Sequence, residues 1–157
     1  MSPIKPRDPN TYSAAYVFLI NDGKIFLARR INTGWHDGDY DVTAGHIEKE
    51  ESGIAAALRE AKEEMGVAVA AQDLQFAHIL HRFAPQDIGE PRIYADIFFA
   101  AKRWQGTPYG AEDGITSDHA DWFSLDTLPE NIVPHVKQAL DNYRQGIFYS
   151  EFGWDEK

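Results

Sequence analysis

Residues 45–67 read GHIEKEESGIAAALREAKEEMGV, and the rest of the chain is read outward from this stretch. Ser52 to Met65 has helical character. Ile54, Leu58, Ala61 and Met65 recur at spacings of four, three and four, with Ala57 alongside, which is one apolar stripe. Gly66 suits the position just past a helix end. Each helical residue advances by about 100°, so Glu64 lies about 40° to one side of Glu60 and Glu63 about 60° to the other. Three carboxylates therefore share one narrow face, turned away from the apolar stripe. Like charges at that spacing repel. The arrangement makes sense if something cationic fills the space, and clustered hard oxygens suit Mg²⁺ or Mn²⁺. Taken alone, Glu-x-x-Glu-Glu also reads as a solvated face with Arg59 and Lys62 as partners.

Upstream, Tyr12–Ile20 is β-branched and aromatic, and Asn21-Asp22-Gly23 is a turn signal before Lys24–Ala28, which predicts a hairpin. Arg29–Gly38 reads as a loop and Asp41–Ala44 as a short strand ending at Gly45. Glycines at 34 and 38 flank Trp35-His36-Asp37, the pattern of a shaped loop. Downstream, Leu74–Phe83 and Ile93–Ala101 read as strands separated by a loop around Pro85–Pro91. Gln105–Asp121 is an acidic connection, Trp122–Leu125 a short strand and Ile132–Arg144 a second helix. No repeat or linker interrupts the pattern. One mixed α/β (α+β) domain is expected over residues 1–157, with 1–11 as an N-terminal arm and 146–157 as an aromatic tail. That tail either packs back on the domain, lines the substrate pocket or joins two subunits.

Composition narrows the chemistry. The apolar and charged fractions, 43% and 25%, are those of a globular chain. Cysteine is absent, which excludes a disulfide scaffold, a thiolate nucleophile and a cysteine-bound zinc site. Neither a signal peptide nor an apolar run of spanning length is visible, so a cytoplasmic location is the default and no membrane is expected. Fifteen Lys+Arg against 25 Asp+Glu give a net charge of −10 without a basic stripe, so no nucleic acid is expected as a partner. An acidic protein still binds polyphosphate when a divalent cation lies between the two sets of negative charge.

From Gly45 the spacing is glycine, five residues, Glu51, seven residues, Arg59-Glu60, then Glu63-Glu64 and Gly66-Val67. This resembles the Nudix box, Gly-x5-Glu-x7-Arg-Glu-(apolar)-x-Glu-Glu-x-Gly-(apolar). Every fixed position is present; only Ala61 is small for its apolar slot. The leading hairpin, the two later strands, Trp122–Pro129 and the closing helix follow the usual Nudix order, so the likeness spans nearly the whole chain. Within the family it is most similar to the MutT-like group.

The resemblance implies a Nudix-type α/β/α sandwich with a mixed central sheet and a box helix. It implies a hydrolase that adds water to a phosphoanhydride of a nucleoside diphosphate linked to X, aided by Mg²⁺ or Mn²⁺. Glu60, Glu63 and Glu64 match metal-binding positions, and Gly45 matches one whose carbonyl joins the metal. Arg59 and Glu51 match a pair that braces loop against helix. The base is Glu63, Glu64 or a distal residue, with Glu112, Asp113 and Asp118 as candidates. The first substrate reading is a (deoxy)nucleoside triphosphate giving monophosphate and pyrophosphate. Alternatives are ADP-ribose, a nucleotide sugar, a dinucleoside polyphosphate, or a non-catalytic module that binds a metabolite. The protein would be a monomer or homodimer.

Substrate contacts are sought by chemistry. A base needs a π surface, for which Trp35, Tyr94 and Trp122 are candidates. Arg29, Arg30 and Arg92 suit phosphates. His36, His46, His81 and His119 are acid–base candidates by ordinary titration range, and no pair of them has metal-ligand spacing. The aromatics read more readily as core or surface packing, the arginines equally as solvent-facing groups, and none of the histidines is chosen.

Overall fold

The computed structural model describes residues 10–85, 89–110 and 116–156. Its chain order is β1 (Thr11–Asn21), β2 (Lys24–Arg30), β3 (Tyr40–Asp41), β4 (Thr43–His46), α1 (Gly53–Met65), β5 (Leu74–Ala84), β6 (Arg92–Ala101), β7 (Ser117–Ser124), α2 (Pro134–Arg144) and β8 (Tyr149–Phe152). The strands form one mixed sheet in the order β3-β2-β1-β6-β5-β8, with β4 beside β1 and β7 beside β2.

β1 organises the molecule. It runs parallel to β6 from Thr11↔Ile93 to Leu19↔Ala101, while its other edge meets β4 first and β2 last. Ala14 to Ile20 are all buried, the continuous apolar run of a strand covered on both faces. Alternation sorts that run into two cores. Tyr16, Phe18 and Ile20 join Leu80, Phe98, Val136 and Leu140 under α2. Ala15, Val17 and Leu19 join Ala56, Ala57, Met65 and Phe99 under α1. The expected α/β/α layering is present.

Local chemistry fixes the ends of α1. Ser52 Oγ accepts from Ala55 N at 3.1 Å, an ordinary N-cap. Gly66 closes the helix at φ 69°, its N–H returning to Ala61 and Lys62 carbonyls. A Cβ at Gly66 would also overlap the Tyr109 ring.

Several expectations need correction. The buried stripe of α1 runs through Ala56, Ala57, Ala61 and Met65; Leu58 is half-buried and Ile54 is 44% exposed. Three alanines and Met65 meet the sheet, while Ile54 faces solvent. The strand read at Asp41–Ala44 is two, because β3 pairs with β2 and β4 with β1. Arg29 and Arg30 belong to β2, not to the loop. The last part of the acidic connection is strand β7, held by seven residues of β2 from Lys24 to Arg30. The closing helix begins at Pro134, since proline suits only the first helical turn. The aromatic tail packs back on the domain as β8, parallel to β5 through Ile79↔Tyr149 to Arg82↔Phe152. Among the described residues no helix is long and apolar enough to cross a membrane.

Candidate active site

Arg59 is the hub of the α1 face. Its Nε and Nη2 donate to the two Glu51 oxygens at 2.8 and 3.0 Å, the bidentate geometry that makes such pairs directional. Nη1 donates to Glu60 at 2.6 Å and to Glu63 at 3.3 Å, and Nη2 also reaches the His46 carbonyl at 3.2 Å. One guanidinium thus ties the 47–52 loop and the end of β4 to the helix. Its hydrogen bonds hold the Glu51 carboxyl down at about 2, and the paired carboxylates hold Arg59 above its ordinary value.

Glu60 is buried, and a Cβ at Gly45 would overlap its carboxylate. Glycine at 45 is therefore what gives Glu60 its place beside β4. Glu63 and Glu64 open onto a cleft of about 580 Å³, opposite Arg29, Arg30 and Tyr109. Glu64 is exposed to this cleft, while its carboxyl stands near Glu60, Asp41 and the Ala44 backbone. Loss of bulk water, a hydrogen bond with Glu60 and repulsion from Glu60 and Asp41 push its carboxyl up to about 9.

A second cavity of about 290 Å³ adjoins the first. Arg30, Thr33, Asp41, Val42 and Glu64 line both, so they mark the junction. This inner chamber is aromatic: Trp35, Tyr94, Tyr16 and His46 line it together with Gly45 and Arg82. Trp35 is set by the 31–39 loop, in which Asp37 accepts from the Thr33 and Gly34 amides and Arg30 Nε donates to the Trp35 carbonyl at 2.9 Å. His36 itself takes a positive φ of 48° there. Asp41, at the junction, accepts from Arg30 at 3.2 Å and from the Val42 amide; burial keeps its carboxyl above the ordinary range.

The NUDIX domain profile matches residues 10–143, most of the 157-residue chain. The chain belongs to the Nudix family. With the full box in place, its class is that of a hydrolase acting on pyrophosphate bonds. Solved structures share the Nudix fold. The MutT NUDIX hydrolase of Burkholderia pseudomallei superposes with a TM-score of 0.74 at 22% identity, over 83% of this chain and 96% of that one. The MutT protein of Methanosarcina mazei Go1 gives 0.72 at 17%, over 90% and 98%. A UDP-X diphosphatase gives 0.61 at 16%, over 94% and 70%. No curated protein matches the sequence at a significant level.

Set against this Nudix frame, the expected residues divide. Gly45, Glu51, Arg59, Glu60, Glu63 and Glu64 are brought together. Among the described residues no three acidic or histidine side chains converge on one point, because Arg59 draws Glu60 and Glu63 toward itself. The donors nevertheless fit a hard divalent cation. They are all oxygens, and the absence of a side chain at Gly45 leaves the Glu60 carboxylate room beside the β4 backbone. Trp35, Tyr94 and Arg92 line the inner chamber, and Arg29 the outer cleft. Asp118 lines neither: Arg29 clamps it at 2.7 and 2.9 Å, which holds its carboxyl low. Glu112 and Asp113 lie outside the described residues. Trp122 leaves the candidate pocket, since it stacks on Trp104 and meets Phe26 edge-on against the core under α1. Of the histidines, His46 lines the second cavity, between Tyr12 and Tyr94. His36 is bonded to Asp39, His81 packs on Trp154 and His119 on Tyr40.

Sequence reasoning missed Asp41, Thr33, Tyr109 and Arg82. For Arg82 a signal existed: it is the one Lys, Arg, Asp or Glu in the strand read at Leu74–Phe83.

Proposed function

We propose that this Nudix protein is a Mg²⁺- or Mn²⁺-dependent pyrophosphohydrolase of a nucleoside diphosphate linked to X. The first reading of X is phosphate, so that a (deoxy)nucleoside triphosphate yields the monophosphate and pyrophosphate. The carrying observation is the shared junction of an acidic cleft and an aromatic chamber at Glu64, Asp41 and Arg30. Phosphates belong at the acidic end, and a base fits the aromatic one.

Glu60, Glu63, Glu64 and the Gly45 carbonyl are the groups that would hold the cation. When bound, it neutralises phosphate oxygens and acidifies water. Arg59, anchored by Glu51, fixes where the glutamate carboxylates stand. Glu63 or, once a bound cation has displaced its proton, Glu64 is the group that would accept a proton from the attacking water. Arg29 and Arg30 on the opposite wall offer donors to the departing phosphate oxygens.

A nucleotide-sugar or ADP-ribose substrate is the second reading. It is favoured by the size of the outer cleft, which has room for a larger X, and by fold likeness to a UDP-X diphosphatase. The test is incubation with Mg²⁺ and a panel of nucleoside triphosphates, ADP-ribose, nucleotide sugars and dinucleoside polyphosphates, with products identified. Monophosphate plus pyrophosphate supports the first reading, and monophosphate plus a phosphorylated X the second. Glu63→Gln and Glu64→Gln should each cut kcat by about 10²-fold or more, with the fold intact. Binding without turnover of any substrate would instead mark a metabolite-binding module.

A further inference from the structure

Beneath the inner chamber lies an ion pair that the hydrolytic chemistry leaves unused. Arg82 on β5 and Asp96 on β6 are 6% and 0% exposed. Arg82 Nε donates to Asp96 at 2.7 Å, and Nη2 lies 3.5 Å from the second oxygen. Strand register explains the meeting. Arg82 is opposite Tyr94, Asp96 is opposite Leu80 and Ala14, and Tyr16 stands two residues along β1. All four polar residues therefore share the α2 face of the sheet.

The guanidinium also lies 4.0 Å from the Tyr94 ring centroid, a cation–π contact that fixes its plane. Tyr16 lines the same cavity, and its hydroxyl meets His135 Nε2 at 3.2 Å. His135 is itself buried, and burial lowers its pKa well below the ordinary value, so it adds no charge here.

A buried ion pair seldom stabilises more than apolar residues of the same shape, so its place at a cavity needs another account. A guanidinium has five N–H donors in one rigid plane, more than Asp96 accepts. Arg82 lines the chamber together with Trp35 and Tyr94. Such a fork meets two adjacent acceptors, as with O6 and N7 of guanine. O2 and N3 of cytosine form an equivalent edge. Adenine sets a donor beside each of its ring acceptors on the exposed edges, and uracil and thymine set N3–H between their two carbonyls.

We propose that Arg82, held by Asp96 and Tyr94, reads the base of the substrate and selects guanine or cytosine over adenine, uracil or thymine. Asp96 is a positioning residue in this scheme, acting through Arg82. The inference rests on the proposed function, since it takes the aromatic chamber as the seat of the base.

The test titrates the whole protein, with Mg²⁺ present, with GMP, CMP, AMP and UMP, which hold no anhydride to cleave. GMP, CMP or both should bind at least about tenfold more tightly than AMP and UMP. 7-Deaza-GMP separates the two sources: lost affinity marks reading of O6 and N7, whereas a CMP preference marks O2 and N3. Arg82→Lys keeps the charge and loses the fork, so discrimination should fall to within about twofold. A merely structural role would weaken all four ligands equally and keep their ratios. Should Arg82→Lys fail to fold, the wild-type ranking and an Arg82→Met/Asp96→Leu double variant give the same reading. Equal binding of AMP or UMP, or unchanged ratios in the variants, overturns the inference. So does binding of none of the four by a protein that still hydrolyses nucleoside triphosphates. Failure to hydrolyse or bind any nucleotide of the panel overturns the proposed function itself, and base reading with it.

Discussion

Glu64 shares a hydrogen bond with Glu60 and faces the charge of Asp41, which together with partial loss of water holds its proton on up to about pH 9. An unfolded glutamate ionises near 4.5. The folded carboxyl is therefore the weaker acid, and the stability this group contributes is complete below about 4.5 and is lost as pH rises toward 9. Glu64→Gln cannot ionise and resembles the protonated form. In EDTA, its Tm should exceed that of the wild type by a margin that widens from pH 5 to pH 9, followed by thermal unfolding. Saturating Mg²⁺ should then raise the wild-type Tm more than that of the variant, because ligand bound only by the folded state stabilises it. A margin independent of pH, or equal Mg²⁺ shifts, would contradict the assignment of Glu64.

At the scale of elements, the tie between α1 and the 47–52 loop is the Glu51–Arg59 pair. Glu51 ionises near 2 in the folded chain against 4.5 in the unfolded one. Its contribution is therefore present above about pH 4.5 and disappears as pH falls toward 2. Glu51→Gln should unfold at a lower Tm than the wild type at pH 6, and the two curves should converge below pH 3. Because Arg59 also places Glu60 and Glu63, the variant should lose at least about tenfold in kcat, since small misplacements of reacting groups are costly. A Tm deficit that persists unchanged at pH 2.5 would show that the pair does not titrate as described.

Across the whole molecule, the C-terminal tail completes the sheet. β8 covers the outer edge of β5, where His78 is fully buried. One ring nitrogen of His78 meets the Ile147 carbonyl at 2.8 Å and the other meets Ser150 Oγ at 2.7 Å. Gln138 on α2 donates to the same hydroxyl at 3.0 Å, and Trp154 Nε1 donates to the His81 carbonyl at 2.9 Å. Ser150→Ala leaves a buried ring nitrogen of His78 without its partner and removes one of the two acceptors of the Gln138 amide, at a cost of about 1–3 kcal/mol. That corresponds to a Tm loss of about 3–10 °C for a chain of this size. Glu151→Ala, at an exposed neighbouring position, should change Tm by no more than about 2 °C. Truncation after Gly146 should cost more than Ser150→Ala, because it removes the strand and both partners of His78. A truncated chain with wild-type Tm would make β8 dispensable.

The sequence by itself determined what is local. The helical period, the serine cap, the closing glycine and the spacing of Glu51, Arg59, Glu60, Glu63 and Glu64 all lie within one stretch of 23 residues. Backbone geometry alone converts that spacing into neighbouring side chains. The hairpin was legible for the same reason, through its turn residues. The stripe of α1 was misjudged because which apolar residues meet a sheet depends on how close the helix approaches, and only the packed sheet sets that. The inner chamber was beyond local reading. Its members come from β1, β4, β5, β6 and the 31–39 loop, and strand order and register decide which of them meet. Arg82 and Asp96 are 14 residues apart, and Tyr16 and His135 are 119 apart. Sequence spacing carries no information at that range, so only the closed sheet could place a buried charge beneath the proposed seat of the base.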